Sequence, residues 1–376
     1  MKNKLSWAFT CAALGMIVGA CSGSNDDGNL GGSGGATAGA GGSVSGSGGE
    51  QASTTGGPLP TGPGGSQSTA GGAEPAGSGG APAGGGDMTG GNGGSGDGSG
   101  GAFTGTCTAS KSAGRNVSGS GPHKVVVETN SDPGINQGTI FRPADLDGDA
   151  KYPIYVWGEG ACSRDGLATE AAMAEIASHG YFVVADGTPG GKEPNRELGG
   201  GGDVLLAYVD WVIAENDKPC SAYYHKIDTK KVAANGFSCG GLMAAGTAAD
   251  PRMTTWGHTS SGSFSVNQAF YNSIHTPVLI VTGTADSLGA NENGARDFEN
   301  IAAQGDIPVM MFAKVGADHG GDLWARNGGE FTQVSLAWLN WWLKGDESAT
   351  GKGMLVGANC RFCSDRTWNI SSANLP

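Results

Sequence analysis

Apolar residues in this chain fall into short runs separated by stretches of helical periodicity. His123–Thr129 and Gly138–Phe141 read as two opening strands, and Pro153–Trp157 as a third after an Asp-rich turn. Ala172, Met173, Ile176 and Ala177 then recur at helical spacing within Thr169–His179, which leads into an apolar strand, Tyr181–Ala185. Val204, Leu205, Tyr208, Trp211 and Val212 mark a helix over Asp203–Glu215. Beyond it the pattern predicts strands at Lys231–Ala234, Thr254–His258, Pro277–Thr282 and Pro308–Val315. The intervening helices are Gly241–Ala249 and Asn291–Ala303, with a last one at Phe331–Leu343. Apolar strands alternating with helices predict an α/β fold, a mainly parallel central sheet with helices on both faces. Binding sites in such sheets collect at the carboxyl ends of the strands.

Nothing of this pattern appears before residue 107. Residues 22–106 hold 34 of the chain's 72 glycines, no Lys or Arg, and Phe103 as their one aromatic. So few apolar side chains do not offset a backbone ordering cost of about 1–2 kcal/mol per residue. Residues 21–106 therefore read as a Gly/Ser-rich disordered tether, and residues 107–376 as one sizeable domain with a single core. As a flexible coil the tether would span about 50 Å. The formal charge is −13, which argues against nucleic acid as a partner, because phosphate binding needs clustered Lys and Arg.

The first twenty residues read as a signal peptide. Lys2 and Lys4 precede an apolar stretch, Ala12–Ala20, that is too short to span a bilayer. Val18-Gly19-Ala20-Cys21 resembles the lipobox of bacterial lipoproteins, which implies lipidation at Cys21. With Ser22 rather than Asp next, the resemblance implies an outer-membrane or cell-surface location. An extracytoplasmic address is oxidising, so Cys107, Cys162, Cys220, Cys239, Cys360 and Cys363 are expected in disulfides, whose pairing sequence alone does not resolve. Cys360 and Cys363 have metal or redox spacing but lie outside any βαβ unit with no His nearby, so a structural bridge is the expectation.

The chemistry gathers after three of the strands. Gly236-Phe237-Ser238-Cys239-Gly240 follows the strand Lys231–Ala234 and opens a helix, which is the strand–turn–helix context that G-x-S-x-G requires. Ser238 is the expected nucleophile and needs a base within hydrogen-bond reach. His319, just past Pro308–Val315, is the candidate base. Asp286, just past Pro277–Thr282, is the candidate acid that orients it. Asp318 and Asp322 are nearer His319 in sequence but poorly placed to reach its far ring nitrogen. Among the other histidines, none follows a strand after the acid. An oxyanion needs two donors: the Cys239 N–H is one candidate, and Glu159 or Gly160, in the loop after Pro153–Trp157, would supply the second. Cys162 and Cys239 would both border this site, so a bridge between them is expected, leaving Cys107–Cys220 and Cys360–Cys363.

These motifs, with Gly138–Pro143, Ile176–Val184, Ile227–Val232, Pro277–Val281, Gly316–His319 and Ala337–Lys344, carry a family resemblance. The domain resembles the α/β-hydrolase group of dienelactone hydrolases, cutinase-like esterases and bacterial polyester (PET-type) hydrolases. The resemblance implies the α/β-hydrolase fold and a Ser238–His319–Asp286 triad acting through an acyl-enzyme on an ester, small or polymeric. It implies no cofactor and no metal. There are departures: Trp157-Gly158-Glu159 stands where the family has Pro-Gly-aromatic, and Cys239 stands where Met or His is usual. The platform Trp expected after Thr254–His258 is missing, with Phe264 as its substitute. The alternatives are a serine peptidase or acyltransferase with the same triad, and an inactive surface-binding module. A monomer is expected.

Three further signals are set aside. Asp145, Asp147 and Asp149 have the oxygen density of a Ca²⁺ loop without its distal Glu, and read as a polar turn. Trp338, Trp341 and Trp342, at helical spacing, read as core. Trp324 reads equally as core or as the rim of a cleft.

Overall fold

The computed structural model describes residues 112–130, 135 and 137–376. The expected signal peptide, Cys21, the tether and Cys107 lie outside the described residues. Ten strands form one sheet: β1 (Ser112–Val117), β2 (Val125–Asn130), β3 (Gly138–Pro143), β4 (Tyr152–Gly158), β5 (Phe182–Asp186), β6 (Ile227–Gly236), β7 (Met253–Thr259), β8 (Val278–Gly283), β9 (Val309–Lys314) and β10 (Trp368–Ala373). Their order across the sheet is β1-β2-β3-β5-β4-β6-β7-β8-β9-β10. The ladders from β5 through β9 are parallel, while β1, β2 and β3 at one side and β10 at the other pair antiparallel.

Period-two alternation explains how the helices divide between the faces. On β4, Tyr155 and Trp157 pack with Ala172, Met173 and Ile176 of α1 (Glu170–Ser178) and with the apolar side of α6 (Gly329–Lys344). Ile154 and Val156, pointing the other way, pack with Leu205 and Val209 of α2 (Gly202–Asp217), Met243 of α3 (Cys239–Ala245) and Ile301 of α5 (Ala290–Ala302). Every residue of β4, β5 and β8 is buried, as strands covered on both faces must be.

The expected parallel sheet and its helices are present, with differences at the margins. The two outermost strands, β1 and β10, lack an apolar signal because Gly114, Arg115, Asn116, Ser371 and Ser372 are exposed at the sheet edges. β6 begins four residues before the expected Lys231, because its first half, with Asp228 and Lys230, extends past the apolar layer. Two short helices were not expected, α4 (Gln268–Ser273) and α7 (Lys352–Leu355). Trp338 and Trp341 are core, as their spacing implied, and the Trp338 indole N–H donates to Thr255 Oγ1 at 2.8 Å. Among the described residues, no helix is long and apolar enough to cross a membrane.

Trp338→Ala should therefore lower the unfolding free energy by about 3–5 kcal/mol, the usual cost of emptying a Trp site. Chemical denaturation at constant pH measures it directly.

Candidate active site

β6 ends at Gly236, Phe237 bridges to Thr259 at the end of β7, and α3 starts at Cys239. Ser238 sits at the bend with φ 54° and ψ −119°, a region that non-glycine residues rarely adopt. Two hydrogen bonds hold it there. Its N–H donates to the Thr259 carbonyl at 2.9 Å, and the Ser261 hydroxyl donates to its carbonyl at 2.6 Å. The flanking glycines are required by space: a Cβ on Gly236 would strike the Gly240 carbonyl, and one on Gly240 would strike the Gly158 carbonyl.

Asp286 follows β8 and is buried, and His319 follows β9 with its ring partly buried. The imidazole Nδ1 lies 2.8 Å and 3.0 Å from the two Asp286 carboxyl oxygens, and Nε2 is buried without a hydrogen-bond partner. This fixes the tautomer with the proton on Nδ1 and leaves Nε2 as an acceptor. The neighbouring acids are committed elsewhere. Asp318 accepts the backbone N–H groups of Ser287 and His319, whose bonds hold its pKa below the usual carboxylate range. Asp322 receives the Glu330 and Phe331 N–H groups at the start of α6 and pairs with Lys314 at 2.8 Å.

The loop after β4 closes the other side. Glu159 is fully buried, and its two carboxyl oxygens lie 2.9 Å and 3.1 Å from the Thr169 hydroxyl at the start of α1. Burial pushes its pKa up to about 8, against the opposing pull of Trp157 and Thr169. Gly160 opens a tight turn in which Ala161 and Cys162 take φ of 56° and 53°. The Cys162–Cys239 disulfide ties this turn to the residue after Ser238. Cys360 is bridged to Cys363, and Cys220 is also disulfide-bonded, while its expected partner Cys107 lies outside the described residues.

Sequence reasoning missed the residues that support this arrangement. Asp186, at the end of β5, receives a two-pronged bond from Arg196 at 2.7 Å and 2.8 Å and a third from Tyr208 at 2.7 Å. The Arg196 N–H in turn donates to the Cys162 carbonyl at 2.9 Å, so an otherwise irregular loop is fastened to the turn after β4. Ser260, with φ 44°, accepts the Gly320 N–H at 3.0 Å and so steadies the loop that bears His319. No local pattern marks Arg196 or Ser260.

Trp324 is on the rim, half-exposed, with its N–H donating to the Ala168 carbonyl at 3.0 Å. Its ring meets Phe237 edge-on with centroids 5.3 Å apart, and Phe237 lies tilted against His319 at 4.9 Å. Phe264, expected as a platform, is largely exposed on the loop after β7. The Asp145–Asp149 segment is a polar turn in which the Asp145 carboxyl accepts the Asp147 N–H at 2.8 Å. Among the described residues, no group of three or more His, Cys, Asp or Glu side chains is arranged to hold a metal ion.

A largely parallel sheet between two helical layers, with Ser238, Asp286 and His319 after β6, β8 and β9, has the form of an α/β hydrolase. Residues 108–360 match the family described as PET hydrolase-like, and the chain belongs to that family of ester hydrolases. No curated protein matches the chain.

Two outcomes follow from this geometry. A Cβ at position 240 would also come within 2.8 Å of the Glu159 nitrogen. Gly240→Ala should thus cost about 1–3 kcal/mol or more by overpacking and depress ester turnover, read from denaturation midpoints and initial rates. Glu159 keeps its proton up to about pH 8 when folded but ionises near 4.5 when unfolded. The folded state then binds more protons in that window, so stability falls as pH rises from about 4.5 to 8. Comparing the stability–pH curves of the native protein and Glu159→Gln should show this part of the slope disappear.

Proposed function

We propose that the chain is a serine carboxylic ester hydrolase that works through an acyl-enzyme. The observation that carries this reading is the His319 imidazole, oriented by Asp286 through Nδ1 with Nε2 unbonded, beside the strained turn that presents Ser238. Ser238 Oγ attacks the ester carbonyl while His319 Nε2 takes its proton, and the Asp286 carboxylate stabilises the imidazolium. The carbonyl oxygen becomes an oxyanion, received by the Cys239 N–H and by the Glu159 or Gly160 N–H. A first-turn N–H such as that of Cys239 has no partner within its own helix and is free for the role. Collapse of the adduct breaks the C–O bond, and His319 returns the proton to the departing alcohol. Water then attacks the acyl-enzyme by the same route.

The family favours an ester or polyester as substrate. The apolar rim supports an extended apolar one, because Trp324, Leu288, Phe264 and Leu198 are all exposed large apolar side chains on the loops that follow the strands. In this reading the enzyme is a monomer held at the outer membrane or cell surface through lipidated Cys21, and acts on extracellular material.

Ser238→Ala in the purified full-length chain should reduce hydrolysis of p-nitrophenyl acetate or butyrate by about 10⁴-fold or more, with thermal unfolding unchanged. Turnover surviving in that variant would sink the assignment of the nucleophile.

A further inference from the structure

Glu159 is the one residue of the proposed oxyanion turn with a long side chain, and that side chain points inward. Its carboxyl is completely buried at the end of β4; the Thr169 hydroxyl makes the well-formed hydrogen bonds to its oxygens, and the Thr169 backbone N–H also lies close. The Trp157 indole N–H is also buried nearby but closes no well-formed hydrogen bond. Two carboxylate oxygens offer about four acceptor sites, so one hydroxyl leaves an ionised group badly undersatisfied. A protonated carboxyl suits the space, since its O–H and C=O together match one hydroxyl that can both donate and accept.

We propose that Glu159 is a positioning residue that works as a neutral acid, fastening the oxyanion turn to the first turn of α1 through Thr169. The proposal rests on the hydrolase reading above. Thr169 precedes α1, and Ala168 beside it accepts the Trp324 N–H, so the same short segment braces the oxyanion turn and the aromatic rim. When the carboxyl loses its proton to water, a buried charge with no cation beside it and well-formed bonds from the Thr169 hydroxyl alone pulls solvent in and loosens the turn. Burial already places that ionisation near pH 8, with the Asp165 charge acting in the same direction. The Tyr155 phenol on β4, itself deeply buried, is the other titratable neighbour and stays neutral there.

The test is the pH dependence of kcat and KM for a soluble ester, with the full-length chain and with Glu159→Gln. The native enzyme should lose about tenfold to a hundredfold in kcat above pH ~8 with little change in KM, and Glu159→Gln should lack that inflection. Thr169→Val, which removes the hydroxyl that the acid is fastened to, should lower kcat already below pH 8 and leave a smaller loss above it. An inflection unchanged in both variants overturns the proposal. Infrared difference spectra across the same pH range need no turnover. A protonated carboxyl that titrates near pH 8 and vanishes in Glu159→Gln supports the assignment, and its absence from the native protein overturns it. If no ester is hydrolysed at any pH, the hydrolase reading fails while the infrared result still decides the state of Glu159.

Discussion

Two glycine backbones pressed together govern the geometry of this molecule. A Cβ on Gly158 would lie 2.6 Å from the Gly240 carbonyl oxygen, and a Cβ on Gly240 would strike the Gly158 carbonyl in return. Gly158 ends β4 and Gly240 is in the first turn of α3, so the contact sets how far the helix sinks onto the sheet. That depth brings Ser238 and Cys239 up to the turn after β4, to which the Cys239 side chain is bridged. The Cys162–Cys239 bridge and the Arg196–Cys162 bond then hold an approach that the glycines make sterically possible. Side chains elsewhere add packing energy, but this contact decides whether the polar groups meet.

The sheet interior was legible in the sequence because burial on both faces leaves only one kind of residue able to occupy it. Tyr152–Gly158, Phe182–Asp186 and Val278–Gly283 all declare themselves in this way. The edges were not legible: β1 and β10 are strands because a neighbour supplies a ladder, and their residues carry no matching apolar pattern. The placement of Asp286 and His319 was legible because each follows an apolar strand, and that of Ser238 because its glycines answer to space. Arg196, Ser260 and Ser261 were not, since each acts on a segment distant in sequence through no more than three hydrogen bonds. The aromatic contact with His319 is made by Phe237, inside the motif, which in turn meets Trp324.

The site has two kinds of support that respond differently to solution conditions. Backbone contacts between glycines and the disulfide are indifferent to protonation. The Asp186–Arg196–Tyr208 cluster sets a buried acid against a guanidinium whose pKa is raised by its bond to Asp186, so the guanidinium keeps its charge. Glu159 is the exception, a buried acid with no cation beside it.

That exception bears on how the chain reaches its fold. β4 lies between β5 and β6, both of which follow it in sequence, so its apolar run must wait uncovered during folding. Parallel sheets with such long-range pairings form slowly, and an exposed apolar strand is an aggregation hazard in the interval. Lys151 and Glu159 flank the run, as gatekeeping charges do in other chains. In the unfolded chain Glu159 ionises at its ordinary value and keeps the segment soluble. Once β4 is enclosed, the same carboxyl takes up a proton and gives up that role.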